Sequence, residues 1–336
     1  MIVEGRTPTR IDLSGGTLDL YPLYLFMEGG VTSNAAIDLW STVRIETRDD
    51  GEIRLRSVDT GVELAAGSLA ELPVDGKLSL VARVVKFYAP RTGVDVTTSN
   101  LTPHGSGLGG SSSLLIALSG ALDRLNGTEM PRADFVELGA NLEAQVISIP
   151  TGKQDYLAAL FGGVNAFHFG VRGWSQEGLI TEEKRIREFE SRIVLSFTGA
   201  PHFSGTNNWS MMKRFIEDAG NSRASMLAIR RTAEEMREAL LAYDLDRFAD
   251  LLDQEWQSRK QLAEGVTTPA IDAMAEAARS AGALASKICG AGGGGCMISF
   301  VQKGKREAVE AALEGAGATV LPFRIARQGL TVEEVQ

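Results

Sequence analysis

Five of the six residues from Gly105 to Gly110 are glycine or serine, and three more serines, Ser111 to Ser113, follow at once. Such a run builds no regular element, because glycine loses the most conformational freedom on ordering. The glycine loop follows a strand-like segment at 93–101, where Val94 and Val96 alternate with polar residues, and it opens a stretch from Ser111 to Leu125 that reads as a buried helix. Glycines let a backbone approach an anion closely, and a helix start offers free N–H groups with a favourable dipole. A capped helix after a flexible turn needs far fewer small residues, so phosphate binding is the better reading. A second run, Gly290 to Gly295, lies between strand-like segments.

The surrounding sequence tests which phosphate loop this is. Gly105, Gly107 and Gly110 fit G-x-G-x-x-G, but a dinucleotide site needs a second strand ending in an acidic residue about 20 residues on. Asp123 lies at that distance inside the expected helix, and 132–147 reads as another helix. Neither run ends in the Gly-Lys-Ser/Thr of a Walker A loop, and the H-R-D and D-F-G elements of protein kinases are missing.

Composition narrows the class. The net charge of −9 and the pI of about 5.1 argue against a nucleic-acid partner, which needs a basic surface. No apolar run is long enough for a membrane span, and residues 1–16 carry no secretory h-region, so the expected setting is cytoplasmic. Cys289 and Cys296 are too few for a disulfide framework and read as reduced thiols. With three scattered histidines, a tetrahedral zinc site is not expected.

Periodicity predicts strands over 31–47 and 53–64, a helix over 78–88, and strands over 163–169 and 193–198. Residues 204–262 read as mostly helical. A helix over 269–281 is capped by Thr267–Thr268. A strand over 296–301, a helix over 306–315 and a strand over 319–324 complete the chain. Mixed elements without clean βα alternation point to α+β. The least structured stretch, 170–188, places a boundary between domains 1–180 and 181–336.

Three motifs together carry a resemblance. They are Pro8-Thr-Arg-Ile-Asp-Leu-Ser-Gly-Gly-Thr-Leu-Asp19, the loop Pro103 to Ser113, and Lys287-Ile-Cys-Gly-Ala-Gly-Gly-Gly-Gly-Cys296. In this order they resemble the GHMP kinases, the superfamily of galactokinase, homoserine kinase, mevalonate kinase and phosphomevalonate kinase. The likeness runs from about residue 6 to 325. It implies an N-terminal α/β domain with a left-handed βαβ crossover, a C-terminal ferredoxin-like domain, and ATP with its phosphates on the 105–110 loop. Galactokinase-like members carry a Mg²⁺-ligating Glu and, twelve residues on, an Asp in a Gly-x-x-Asp-Gln context. Glu143 and Asp155 have that spacing, with Gly152 in place and Tyr156 standing where the Gln would be. Gly-Lys-Gln-Asp at 152–155 and Gly-Gly-Thr-Leu-Asp at 15–19 look more like the heptose kinases than like true galactokinases.

The resemblance implies these roles. Asp155 is the base that takes the acceptor proton, and Arg10 stabilises charge beside it. Without the spacing to Glu143, Asp155 would read as a helix cap. Pro103, Gly105, Ser106, Gly107, Leu108, Gly109, Gly110, Ser111 and Ser112 hold ATP. Glu143 and Ser111 ligate Mg²⁺, with Ser112 the competitor, since Mg²⁺ takes few protein oxygens. Asp19, Gly15, Gly16, Thr17, Lys153 and Gly293 face the substrate, and His202 and Asn207 are further candidate contacts. Trp209 and Trp256 read as core or interface, His104 and His168 as structural, Lys213–Arg214 and Arg230–Arg231 as solvated helix faces. The expected activity is an ATP- and Mg²⁺-dependent kinase, monomeric or homodimeric, acting on a sugar or sugar phosphate. The acceptor is a heptose 7-phosphate or an anomeric sugar hydroxyl. A mevalonate-type kinase and a non-catalytic sugar or nucleotide sensor of the same fold are the alternatives.

Overall fold

A computed structural model describes the backbone of residues 1–201 and 204–335, and the side chains of these residues other than 204–206. The first half runs β1 (Ile2–Ser14), α1 (Leu23–Phe26), β2 (Gly30–Arg48), β3 (Ile53–Ser57), β4 (Val62–Ala66), α2 (Ser79–Tyr88), β5 (Gly93–Asn100), α3 (Gly110–Asn126), α4 (Arg132–Ile147), α5 (Gln154–Phe161), β6 (Val164–Gly170) and β7 (Gly173–Ile180). The second half runs α6 (Glu183–Ser191), β8 (Ile193–Phe197), α7 (Ser204–Ile216), α8 (Ser222–Ala242), α9 (Leu245–Arg259), α10 (Pro269–Ala281), β9 (Ala283–Ile288), β10 (Cys296–Val301), α11 (Arg306–Gly315), β11 (Thr319–Val320) and β12 (Thr331–Val335).

The first sheet is ordered β12-β1-β2-β5-β3-β4. The long β2 serves two further partners, β6 along Gly30–Ala35 and β5 along Ser41–Arg48, and β7 pairs β6. All pairs are antiparallel except β3 with β5, and α2 lies in the connection between those two strands, as a parallel pair requires. The second sheet is antiparallel, in the order β11-β8-β10-β9. With α11 between β10 and β11, and helices α7 to α10 between β8 and β9, this is the ferredoxin-like arrangement.

The elements follow from local chemistry. In α2, Val81, Val84, Val85 and Tyr88 share one buried face, and Ala89 ends the helix with φ of +46°. Thr268 caps α10, accepting the Ile271 N–H, with Pro269 opening the helix. One apolar cluster joins Ile11 and Leu13 of β1 to Phe189, Phe248 and Phe300 of the second half. A second cluster, including Val43, Val85 and Leu118, lies between the first sheet and its helices.

Several elements differ from the sequence reading. Residues 2–14 form the long β1, and 170–188 hold β7 and most of α6 rather than a loose boundary. The helix expected from Ser111 starts at Gly110, and the strand expected at 319–324 is the two-residue β11. The cut at 180/181 falls at the end of β7, but β12 returns to pair with β1, so residues 331–335 belong to the first sheet.

Candidate active site

The 105–110 loop leads from β5 into α3. Gly105, Gly107 and Gly109 have φ of +67°, +72° and +75°, the left-handed region that glycine enters without strain. A Cβ on Gly107 would lie 2.6 Å from the Cys289 carbonyl oxygen, and one on Gly295 2.6 Å from the Ser106 carbonyl oxygen. The Cys296 N–H donates to Ser106 O at 2.7 Å. The second glycine run is therefore the bed on which the first one lies. Gly109 caps α3 with no side-chain partner, so the first-turn amides are open to an anion. Two side chains of the expected phosphate loop are buried. Leu108 is a core side chain, and its carbonyl accepts the Arg10 N–H at 3.0 Å. Ser106 is buried.

Behind the helix start, three hydroxyls converge on Glu143 of α4. Ser111 donates to Oε1, and Ser112, at 2.7 Å, and Tyr156 of α5 donate to Oε2. Burial raises the Glu143 pKa, against the three hydrogen bonds that favour the carboxylate. The Tyr156 hydroxyl is pushed far up, chiefly by burial and then by Glu143, and Thr151 lies 3.1 Å from it. No group of three or more His, Cys, Asp or Glu among the described residues would hold a metal. Glu143 with one serine hydroxyl, beside open helix amides, nonetheless fits Mg²⁺, which keeps several waters.

Across the loop, Arg10 of β1 grips Asp155 in the first turn of α5. Its Nε lies 2.7 Å and its Nη2 2.6 Å from Asp155 Oδ1, and Nη1 donates to Gly107 O. Arg10 is 4% exposed and Asp155 22%, so the pair is anchored on the inside and open on the outside. Burial would lower the Arg10 pKa, but Asp155 and Asp12 outweigh it and keep the guanidinium charged. A Cβ on Gly109 would lie 2.9 Å from Asp155 Cγ. The base candidate thus sits against the loop that would carry the phosphates.

Beside this pair lies the Gly15–Asp19 loop. Asp19 Oδ2 accepts the Gln154 N–H at 2.9 Å, next to Asp155 in sequence, and a side chain on Gly152 would run into the same carboxylate. Burial raises the Asp19 pKa to about 6, with Asp155 and Asp12 adding repulsion and the Gln154 amide opposing. A Cβ on Gly15 would run into Val31 O, and one on Gly16 would lie 2.7 Å from Asp12 Oδ2.

Other expected contacts are placed elsewhere. Lys153 turns away to Glu137, at 2.5 Å. The Gly293 N–H donates to Val266 O at 2.7 Å, and Asn207 donates to Ala291 O at 3.1 Å, so both fasten the glycine bed. Trp256 is buried as expected, but Trp209 is 47% exposed. Arg230 is no simple solvated face, since it donates to Met27 O. His104 is exposed, and His168 lies 3.1 Å from Glu177. His202 lies outside the described residues. Sequence reading missed the buried charges Asp12, Glu255, Arg259 and Lys287. Their signal was the i, i+4 pair Glu255–Arg259 on an otherwise apolar helix face and the lysine that opens the third motif.

The family described as GHMP kinases N terminal domain matches residues 79–163, and GHMP kinases C terminal matches 236–319. The chain belongs to the GHMP kinases, which makes it a phosphotransferase with an alcohol group as acceptor. It is 30% identical to the D-glycero-alpha-D-manno-heptose 7-phosphate kinase of Campylobacter jejuni over 338 residues, with 98% of each chain covered. It is 28% identical to the mevalonate kinase of Pyrococcus abyssi, over 100% of this chain and 99% of that one. Among solved structures, a D-glycero-D-manno-heptose 1-phosphate kinase from Bacteroides thetaiotaomicron superposes with a TM-score of 0.81 at 27% identity, covering 99% of both chains. No helix among the described residues is long and apolar enough to cross a membrane.

Proposed function

We propose that the chain transfers the γ-phosphoryl group of ATP to a hydroxyl of a sugar phosphate, of the heptose 7-phosphate class. The observation that carries this reading is the Arg10–Asp155 pair packed against Gly109, at the uncapped start of α3. The open amides and the helix dipole receive the phosphates. Asp155 accepts the proton of the attacking hydroxyl, and Arg10, bonded to Asp155 Oδ1 through Nε and Nη2, holds that carboxylate aimed. Asp19 accepts hydrogen bonds from the acceptor hydroxyls, so the nucleophile is fixed before transfer. Glu143 and Ser111 would hold Mg²⁺, whose charge offsets that of the phosphates. A cytoplasmic setting, where ATP is abundant, goes with this reading.

The heptose assignment rests on the C. jejuni relative and on the Gly-Gly-Thr-Leu-Asp and Gly-Lys-Gln-Asp segments. The mevalonate kinases that match over the whole chain supply the competing acceptor. A coupled ADP-release assay with ATP and Mg²⁺ tests both, over heptose 7-phosphate, free hexoses and mevalonate. Turnover with heptose 7-phosphate, lost by about 10²- to 10⁴-fold in Asp155→Asn, is the expected result. Turnover with mevalonate alone would refute the sugar reading, and full activity in Asp155→Asn would remove Asp155 as base.

A further inference from the structure

Four buried charges join the two halves of the chain beside the acceptor loop. Lys287 of β9 lies 3.1 Å from both Asp12 of β1 and Glu255 of α9. Glu255 also takes Arg259 one helical turn on, with Nε at 2.9 Å. All four side chains are fully buried. Burial would raise the Glu255 pKa, but Arg259 and Lys287 outweigh it and keep the carboxylate ionised.

Arg259 spends its remaining donors on the loop. Nη2 donates to the Gly16 carbonyl at 2.7 Å, and Nη1 to the Thr17 hydroxyl at 3.3 Å. That loop is not relaxed. Thr17 has φ of +81°, a conformation that a β-branched residue rarely adopts and that its surroundings must impose. The loop ends at Asp19, whose carboxylate reaches the amide next to Asp155.

We propose that Arg259 is a positioning residue for the phosphoryl acceptor: from the second half of the chain it fixes the Gly15–Asp19 loop of the first, and so sets where the acceptor hydroxyl lies relative to Asp155. This rests on the reading of that loop as the acceptor site. Stability alone gives the network no clear purpose, because buried ion-pair clusters replaced by well-packed apolar residues often leave a fold as stable or more so. A planar guanidinium that holds Glu255 through Nε and Nη2 and still reaches the loop through Nη1 and Nη2, by contrast, sets the direction of two further bonds at once.

The test uses a charge-balanced change. Glu255→Leu with Arg259→Met removes one cation and one anion and leaves the Lys287–Asp12 pair. Arg259→Lys keeps the charge and loses the fork. Kinetics with heptose 7-phosphate as acceptor probe, calorimetric binding of the same probe and thermal melts are compared with those of the parent enzyme. The expected result is an unchanged or raised Tm in the double variant and an acceptor KM raised about ten- to a hundredfold in both variants. The ATP KM stays within about twofold, and acceptor binding in calorimetry weakens in step. An unchanged acceptor KM in a folded variant overturns the proposal. So does failure of both variants to fold, or equal weakening of ATP and acceptor with a lowered Tm, because the network is then merely structural. Asp19→Asn, run in parallel, separates the two readings. If it leaves the acceptor KM unchanged, the loop is not the acceptor site. If it raises KM while the Arg259 variants do not, only the role of Arg259 falls.

Discussion

Gly109 and Asp155 approach so closely that a methyl group on the glycine would lie 2.9 Å from the carboxyl carbon of the aspartate. The Gly105–Gly110 loop and the base candidate are therefore one packed unit, and the absence of a side chain at 109 sets their separation. Gly109→Ala is expected to displace Asp155 and to strain a backbone held at φ of +75°. The predicted outcome is a kcat reduced by about tenfold or more. Gly51→Ala is the control: its φ is +69° with nothing within 4 Å of the new methyl group. It should lose about 1–2 kcal/mol of stability and keep its kcat. Equal kcat values for the two variants would show that the contact with Asp155 does not matter.

Tyr156 carries a second prediction. Its hydroxyl and that of Ser112 both bind Glu143 Oε2, which leaves Oε1 with Ser111 as the edge toward the helix start. Tyr156→Phe fills the same space and removes one donor, so Glu143 loses orientation and its ionised form loses support. The Mg²⁺ concentration for half-maximal rate is expected to rise several-fold, with kcat at saturating Mg²⁺ little changed. The acid limb of the rate profile moves to higher pH, because the Glu143 pKa, already raised by burial, rises further. A Mg²⁺ titration at two pH values checks both effects.

The chemistry of this site was more legible in the sequence than its frame. Gly109 stood out in the glycine run, and Glu143 and Asp155 through the twelve-residue spacing that the family resemblance picks out; the structure brings Gly109 against Asp155 and Ser111 and Ser112 onto Glu143. Residues 2–14 were left without structure, since β1 is buried along most of its length and lacks the alternation that marks a half-exposed strand. The wider contacts of Arg259 and Lys287 were invisible, because Arg259 reaches the Gly16 carbonyl across 243 residues of chain and Lys287 reaches Asp12 across 275. Lys153 sits two residues before Asp155, yet a side chain at the start of a helix can turn to either side, and here Glu137 of α4 decides the direction.

That placement of Lys153 gives a third prediction. Its ammonium is paired with a half-exposed carboxylate rather than aimed at Asp19. Lys153→Met keeps the buried stem, and a half-exposed ion pair contributes about 1 kcal/mol or less. Acceptor KM is expected to change by less than about threefold. A rise of tenfold or more with heptose 7-phosphate, absent with an unphosphorylated sugar, would show instead that Lys153 leaves Glu137 to bind the acceptor phosphate.

Asp19 ties function to stability with a sign that can be checked. Its carboxyl is buried, and its pKa is raised from 3.8 to about 6. A group whose folded pKa lies above its unfolded value favours folding only while it is protonated. The contribution is therefore present below pH 3.8, is lost as the pH rises through 6, and above that the ionised carboxylate is a constant cost. The shift corresponds to a cost of about 3 kcal/mol at neutral pH. Asp19→Asn removes the charge and can still accept the Gln154 N–H through its amide oxygen. The variant should melt higher than the parent at pH 7.5, with the gain shrinking toward zero as the pH falls to 4. Its acceptor KM should rise at least tenfold at pH 7.5, because a carboxylate accepts hydroxyl hydrogen bonds more strongly than an amide does. In the parent enzyme, acceptor affinity should fall as the pH drops through 6. Thermal melts of both proteins from pH 4 to 8, beside acceptor titrations over the same range, measure each limb. A lower melting temperature for Asp19→Asn at pH 7.5 would mean that the ionised carboxylate supports the fold, and that the cost of its burial is met by partners beyond the Gln154 amide.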